Sequence, residues 1–158
     1  MFKVGDKVVY PMHGAGVIEA IEEQEFLGQS KKYYVMRLPM GDMKVMIPTE
    51  NVEGVGLRQV IDTKLVPKVL EVLRQKKSTM SPNWNRRYRA NLEKMKSGDI
   101  FAVAEVVRNL SLREKEKGLS TGERKMLESA RQILVSELVL ARGDREEQVK
   151  SLVQEALA

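Results

Sequence analysis

The feature that most constrains the fold is a change of hydrophobic period near residue 60. Before it, short runs rich in Val, Ile, Tyr and Met are bounded by Gly, Pro and Asp, the pattern of strands and tight turns. Lys7-Val8-Val9-Tyr10, Val17-Ile18-Glu19-Ala20-Ile21, Tyr33-Tyr34-Val35-Met36-Arg37-Leu38 and Met43-Lys44-Val45-Met46-Ile47 read as strands. Gly14-Ala15-Gly16, Leu27-Gly28-Gln29-Ser30 and Pro39-Met40-Gly41-Asp42 read as the turns between them. Four or five short strands in so little chain predict a small, strongly bent antiparallel barrel. Pro48 ends the last long run.

After the change, apolar residues recur at helical spacing. Thr63 is expected to cap a helix to about Lys76, with Leu65, Val66, Val69, Leu70 and Leu73 as its stripe. Trp84, Tyr88, Leu92 and Met95 mark a second helix that Gly98 ends. Asp99 caps a third, stopped by Gly118. Ser120-Thr121-Gly122-Glu123 is a capping box, in which the Ser accepts from the backbone and the Glu reaches back. It opens a long fourth helix that Gly143 ends, and Asp144 is expected to start a fifth. The expected fold is α+β: a barrel over residues 1–58 and a compact bundle of about five helices over 59–158.

Two function classes are removed by what the chain lacks. It has no Cys, so disulfide frameworks, thiol catalysis and Cys-based zinc sites are out. It has one His, His13, in a turn-like context with no nucleophile or carboxylate specified beside it. His13-Gly14-Ala15-Gly16 lacks the Lys and Ser/Thr of a phosphate loop. Glu22-Glu23-Gln24-Glu25 lacks calcium-loop spacing and reads as an exposed strand face. No catalytic residue, metal or cofactor is expected. With no run of about 18 apolar residues and no apolar segment at Met1-Phe2-Lys3-Val4-Gly5-Asp6, the expectation is a cytoplasmic protein with no membrane contact.

The net charge of +5 is unevenly spread. Residues 1–60 carry 7 Lys/Arg and 8 Asp/Glu, residues 61–98 carry 10 and 3, and residues 99–158 carry 10 and 11. The whole excess therefore lies in one stretch. Such focusing fits a nucleic-acid contact, and it equally fits a solvated helical face. Within the stretch, Ser81-Pro82-Asn83-Trp84-Asn85-Arg86-Arg87-Tyr88-Arg89 gathers the only Trp, three Arg and a Tyr at a helix start. Arg supplies bidentate phosphate contacts, and a large aromatic stacks on or wedges between bases. The alternative is that Trp84 and Tyr88 form a core pair with the Arg residues solvated. On the barrel, Met36, Met40, Met43 and Met46 read either as core or as a docking edge for another sheet.

Trp84-Asn85-Arg86-Arg87-Tyr88-Arg89-Ala90-Asn91-Leu92-Glu93-Lys94 resembles the signature of the CarD family (the CarD/CdnL group) of bacterial transcription regulators. Gly118-Leu119-Ser120-Thr121-Gly122-Glu123-Arg124-Lys125-Met126-Leu127, Val4-Gly5-Asp6-Lys7-Val8-Val9-Tyr10-Pro11 and Met46-Ile47-Pro48 resemble it too. The resemblance implies a Tudor/SH3-like N-terminal barrel that binds the β subunit of RNA polymerase, and a helical domain that contacts promoter DNA. It implies that Trp84 is a minor-groove wedge at the upstream edge of the melted bubble, and that Arg86, Arg87 and Arg89 hold the backbone. Met46 and Pro48, with Met36 and Arg37, match the polymerase-facing surface. Some members carry Arg where this chain has Gln24 and Met46, which implies a more apolar contact here. The implied protein is a nucleoid-associated monomer. Two other readings fit the same residues: a general nucleic-acid module of translation or RNA metabolism, and a helical adaptor with Trp84 in its core.

Overall fold

The computed structural model describes residues 1–39 and 42–158, so the expected turn at Met40-Gly41, and Met40 itself, lie outside the described residues. Five strands, β1 (Lys7–Tyr10), β2 (Gly14–Phe26), β3 (Gln29–Leu38), β4 (Met43–Pro48) and β5 (Arg58–Gln59), form one antiparallel sheet in the order β4-β3-β2-β1-β5. A one-turn helix, α1 (Val52–Val55), precedes β5. Leu27 and Gly28 both have positive φ, 52° and 77°, which makes the two-residue turn a twisted hairpin requires.

The sheet bends around Val8, Ile18, Tyr34, Met36, Leu38, Ile47 and Leu57, a small core of its own. An extra residue in β2, Glu19, shifts the pairing from Ile18↔Met36 to Ala20↔Val35. This bulge sharpens the local twist, as a tightly curved five-stranded sheet needs. At Gly16 the chains approach so closely that a Cβ would sit 2.3 Å from the Arg37 carbonyl oxygen, so only glycine fits. Beyond residue 21, β2 runs on with β3 as an exposed ribbon ending at Phe26 and Leu27. Met36 is fully buried in this core, which corrects its assignment to the polymerase-facing surface. Of the methionines read as core or docking edge, Met36 is core, and Met43 and Met46 are exposed on the edge strand β4.

The helical half contains α2 (Val66–Arg74), α3 (Trp84–Lys96), α4 (Ile100–Glu116), α5 (Thr121–Arg142) and α6 (Glu146–Leu157). Their stripes meet in a second core, with Val103, Val106, Val107, Leu110, Leu134 and Leu138 at its centre. Two helix starts differ from expectation. Asp62, not Thr63, caps the first helical turn, its carboxylate accepting from Lys64 N at 2.9 Å. The last helix starts at Glu146, two residues past Asp144, whose carboxylate is held by Arg142 at 2.5 Å instead. Both shifts follow from which side chain captures the local donor.

The two halves are joined by polar contacts to one side of α5. Arg58 forks onto Glu137 (Nη1–Oε2 2.8 Å, Nη2–Oε1 2.7 Å) and donates from Nε to the Gly98 carbonyl at 2.7 Å. The Glu137 carboxylate also accepts from Ile61 N at 2.9 Å, and Ser136 Oγ accepts from Ala15 N at 2.9 Å. Glu137 is buried, so its charge is tolerated only because Arg58 faces it. Arg58→Met is expected to cost about 2–4 kcal/mol, since it leaves a buried carboxylate short of its partner. Chemical denaturation of the variant against the parent checks this.

Candidate nucleic-acid interface

The site begins with a cap. Asn83 has extended backbone, and its Oδ1 accepts from Arg86 N at 3.1 Å, which starts α3 at Trp84. Pro82, just outside the helix, disfavours helical backbone at Ser81 before it. Trp84 therefore stands on the first helical residue, where little chain surrounds it, and it stays 42% exposed. Tyr88, one turn on, stacks on it with ring centroids 5.0 Å apart and planes 16° from parallel. The indole Nε1 donates to Ser120 Oγ at 2.8 Å. Gly122 lies alongside, where a Cβ would touch Trp84 Cζ2 at 3.5 Å and Tyr88 Cε2 at 3.7 Å. The core-pair alternative is thus half present: Trp84 and Tyr88 do pair, with Tyr88 half-buried against the helical core and Trp84 exposed.

The three Arg residues part company. Arg86 and Arg89 are exposed and form no ion pair among the described residues. Arg87 points inward and is 4% exposed. Its Nε donates to Glu123 Oε2 at 2.8 Å and its Nη2 to Oε1 at 3.2 Å, while Nη1 reaches the Ser81 and Pro82 carbonyls at 3.2 and 3.3 Å. Four of its five N–H donors are so occupied and the side chain is buried, which corrects its assignment as a backbone contact. The signal was in the spacing: Arg87, Asn91 and Met95 recur every fourth residue, and all three are buried. Glu123 of the capping box is the partner.

Glu123 joins two jobs. Burial works to raise its pKa, but the Arg87 hydrogen bond and charge, with the Ser120 backbone and hydroxyl, outweigh this and hold it below the usual carboxylate range. Arg87 is raised in turn, first by the hydrogen bond to Glu123. A folded pKa below the unfolded value of about 4.3 means the pair's stabilisation is present above that pH and lost as pH falls through the folded value. Glu123→Gln should therefore flatten the acid side of the stability profile below about pH 4–5, as urea midpoints measured across that window will show.

The +7 stretch is not one patch. Its α2 half packs on α4, α5 and α6, and α3 packs on α4 and α5. On the barrel, Met46 and Gln24 touch (Nε2–Sδ 3.8 Å). Pro48 is half-buried at the end of β4. Arg37 is half-exposed and paired with Glu19 at 3.4 Å and Asp42 at 3.6 Å. His13 rests against the Tyr10 ring, 4.1 Å between centroids. No helix among the described residues is long and apolar enough to cross a membrane.

Residues 2–61 match the CarD-like/TRCF RID domain, and residues 68–154 match the CarD C-terminal domain. YdeB of Bacillus subtilis (strain 168), named as a transcription factor, is 44% identical over 151 residues, covering 96% of this chain and 99% of that protein. The N-terminal domain of Myxococcus xanthus CarD, solved by NMR in solution, is 36% identical and covers 37% of this chain and 79% of that one, with a TM-score of 0.33. Matched in both halves and along nearly its whole length, the chain belongs to the CarD family of transcription regulators.

Proposed function

We propose that the protein docks on the β subunit of RNA polymerase through residues 1–58 and stabilises the melted promoter through residues 59–158, with no chemistry of its own. The observation that carries this is the exposed Trp84, stacked on Tyr88 and flanked by the exposed cations Arg86 and Arg89. A factor that binds melted DNA better than duplex shifts the equilibrium by the difference in affinity alone. A Trp stacked at an unstacked fork contributes about 1–3 kcal/mol, and each ~1.4 kcal/mol is tenfold in the equilibrium. The Arg contacts add affinity without sequence preference.

The match of the barrel to the CarD-like/TRCF RID domain supports polymerase as its partner. So does the edge strand β4, whose Met43 and Met46 are exposed beside an unpaired row of backbone groups. Met46, Pro48 and Arg37 are the residues assigned to that contact. Tethering there supplies the local concentration that weak, salt-sensitive DNA binding lacks. The proposed working form is a monomer.

Arg86→Glu is expected to weaken DNA contact at every promoter and to reduce the salt slope by about one. A loss confined to one promoter sequence would instead indicate base readout. The test of the whole reading is open-complex half-life with and without the protein, after capture of polymerase β-subunit lobes by the barrel.

A further inference from the structure

The Ser120 hydroxyl is fully committed. It accepts from Trp84 Nε1 at 2.8 Å and from Glu123 N at 3.2 Å, and it donates to Glu123 Oε1 at 3.2 Å. A hydroxyl has one donor and two acceptor sites, so all three are used. The indole has a single polar group, its N–H, and that is used as well. Capping alone needs only the bond from Glu123 N, so the bond to Trp84 is additional. It runs between helices, from the first residue of α3 to the cap of α5.

Two consequences follow for the Trp84 ring. Its torsions are fixed by a bond at one edge and by Tyr88 stacked on one face, while the residue stays 42% exposed. Its only donor is turned into the protein, so it has nothing to offer the hydrogen-bonding edge of a base. We infer that Ser120 is a positioning residue that presents the Trp84 face and, by occupying its N–H, keeps the contact blind to base identity. The partner class is any unstacked nucleobase, met face-on. This rests on the reading that Trp84 meets DNA, and deepens it by naming what sets its orientation and its lack of sequence preference.

Because the chain has one Trp, its fluorescence reports this site alone. Ser120→Gly removes the acceptor while a glycine N-cap keeps most of the helix start. Ser120→Thr retains the hydroxyl. In the free protein, Ser120→Gly should add a fast local component to the Trp84 anisotropy decay, and Ser120→Thr should restore the parent's decay. A second route spares the cap altogether: replacing the indole N–H by sulfur, through incorporation of benzothienylalanine at Trp84. With polymerase, both changes that break this bond should shorten open-complex lifetime about two- to tenfold, the worth of one immobilised side chain. The parent and Ser120→Thr should give lifetimes independent of the base at the upstream fork. An unchanged decay in Ser120→Gly overturns the inference. So does an unchanged lifetime in both bond-breaking changes while Trp84→Ala shortens it, which would leave the wedge standing. If Trp84→Ala itself has no effect, the wedge reading fails and the positioning role with it.

Discussion

Trp84→Ala should shorten the half-life of the open promoter complex by roughly five- to a hundredfold, the range that about 1–3 kcal/mol of stacking corresponds to. Binding to polymerase should be unchanged, because the barrel builds its own core around Val8, Ile18 and Met36 and lies in a different half of the chain. Folding should also survive. Trp84 is partly exposed and gives up one hydrogen bond and one stacked neighbour, which limits its share of stability. The prediction therefore separates function from fold in a single variant. Half-lives measured after competitor challenge, beside a binding assay and a melting curve, check all three parts.

Arg87→Ala should do the reverse and damage the fold. The Glu123 carboxylate is 2% exposed and receives both Nε and Nη2 of Arg87. Removing that fork leaves a buried charge with only Ser120 for company, at a cost of about 3–5 kcal/mol. Native domains hold only about 5–15 kcal/mol in total, so this is a large fraction. The melting temperature should fall by roughly 10 °C. The exposed neighbours offer the control: Arg86→Ala and Arg89→Ala should leave it within about 2 °C, since surface substitutions rarely exceed about 0.5 kcal/mol. Replacing both members of the pair, Arg87→Met with Glu123→Leu, should recover much of the loss, because no charge is then left buried. A melting temperature unmoved by Arg87→Ala would show that the pair is not buried as a charge pair.

These two variants sit three residues apart, and what divides them was partly legible in the sequence. Local signals carried the elements well. Leu27-Gly28 made its hairpin turn, and Ser120 with Glu123 made its capping box, because each depends on neighbours a few residues away. The change of period near residue 60 placed the sheet before the bundle for the same reason. Direction was harder to read. Arg87 was grouped with Arg86 and Arg89 by charge, although its fourfold spacing to Asn91 and Met95 put it on the inward face. Met36 was grouped with Met46 by residue type, although ten residues and a strand change separate them. Long-range partners were not legible at all. Nothing near Glu137 announces that a mid-helix carboxylate will meet Arg58 from β5, nor does Trp84 announce Ser120. Such contacts depend on how the elements pack, which a single sequence does not state.

The central claim is that the Trp84 ring stacks on a base released at the upstream edge of the bubble. A fluorescent purine analogue placed at that position of the promoter reports stacking directly, because an aromatic neighbour quenches it. Added to the open complex, the protein should quench the analogue, and Trp84→Ala, bound to polymerase at saturation, should leave it bright. Equal quenching by the parent and by Trp84→Ala would contradict the account.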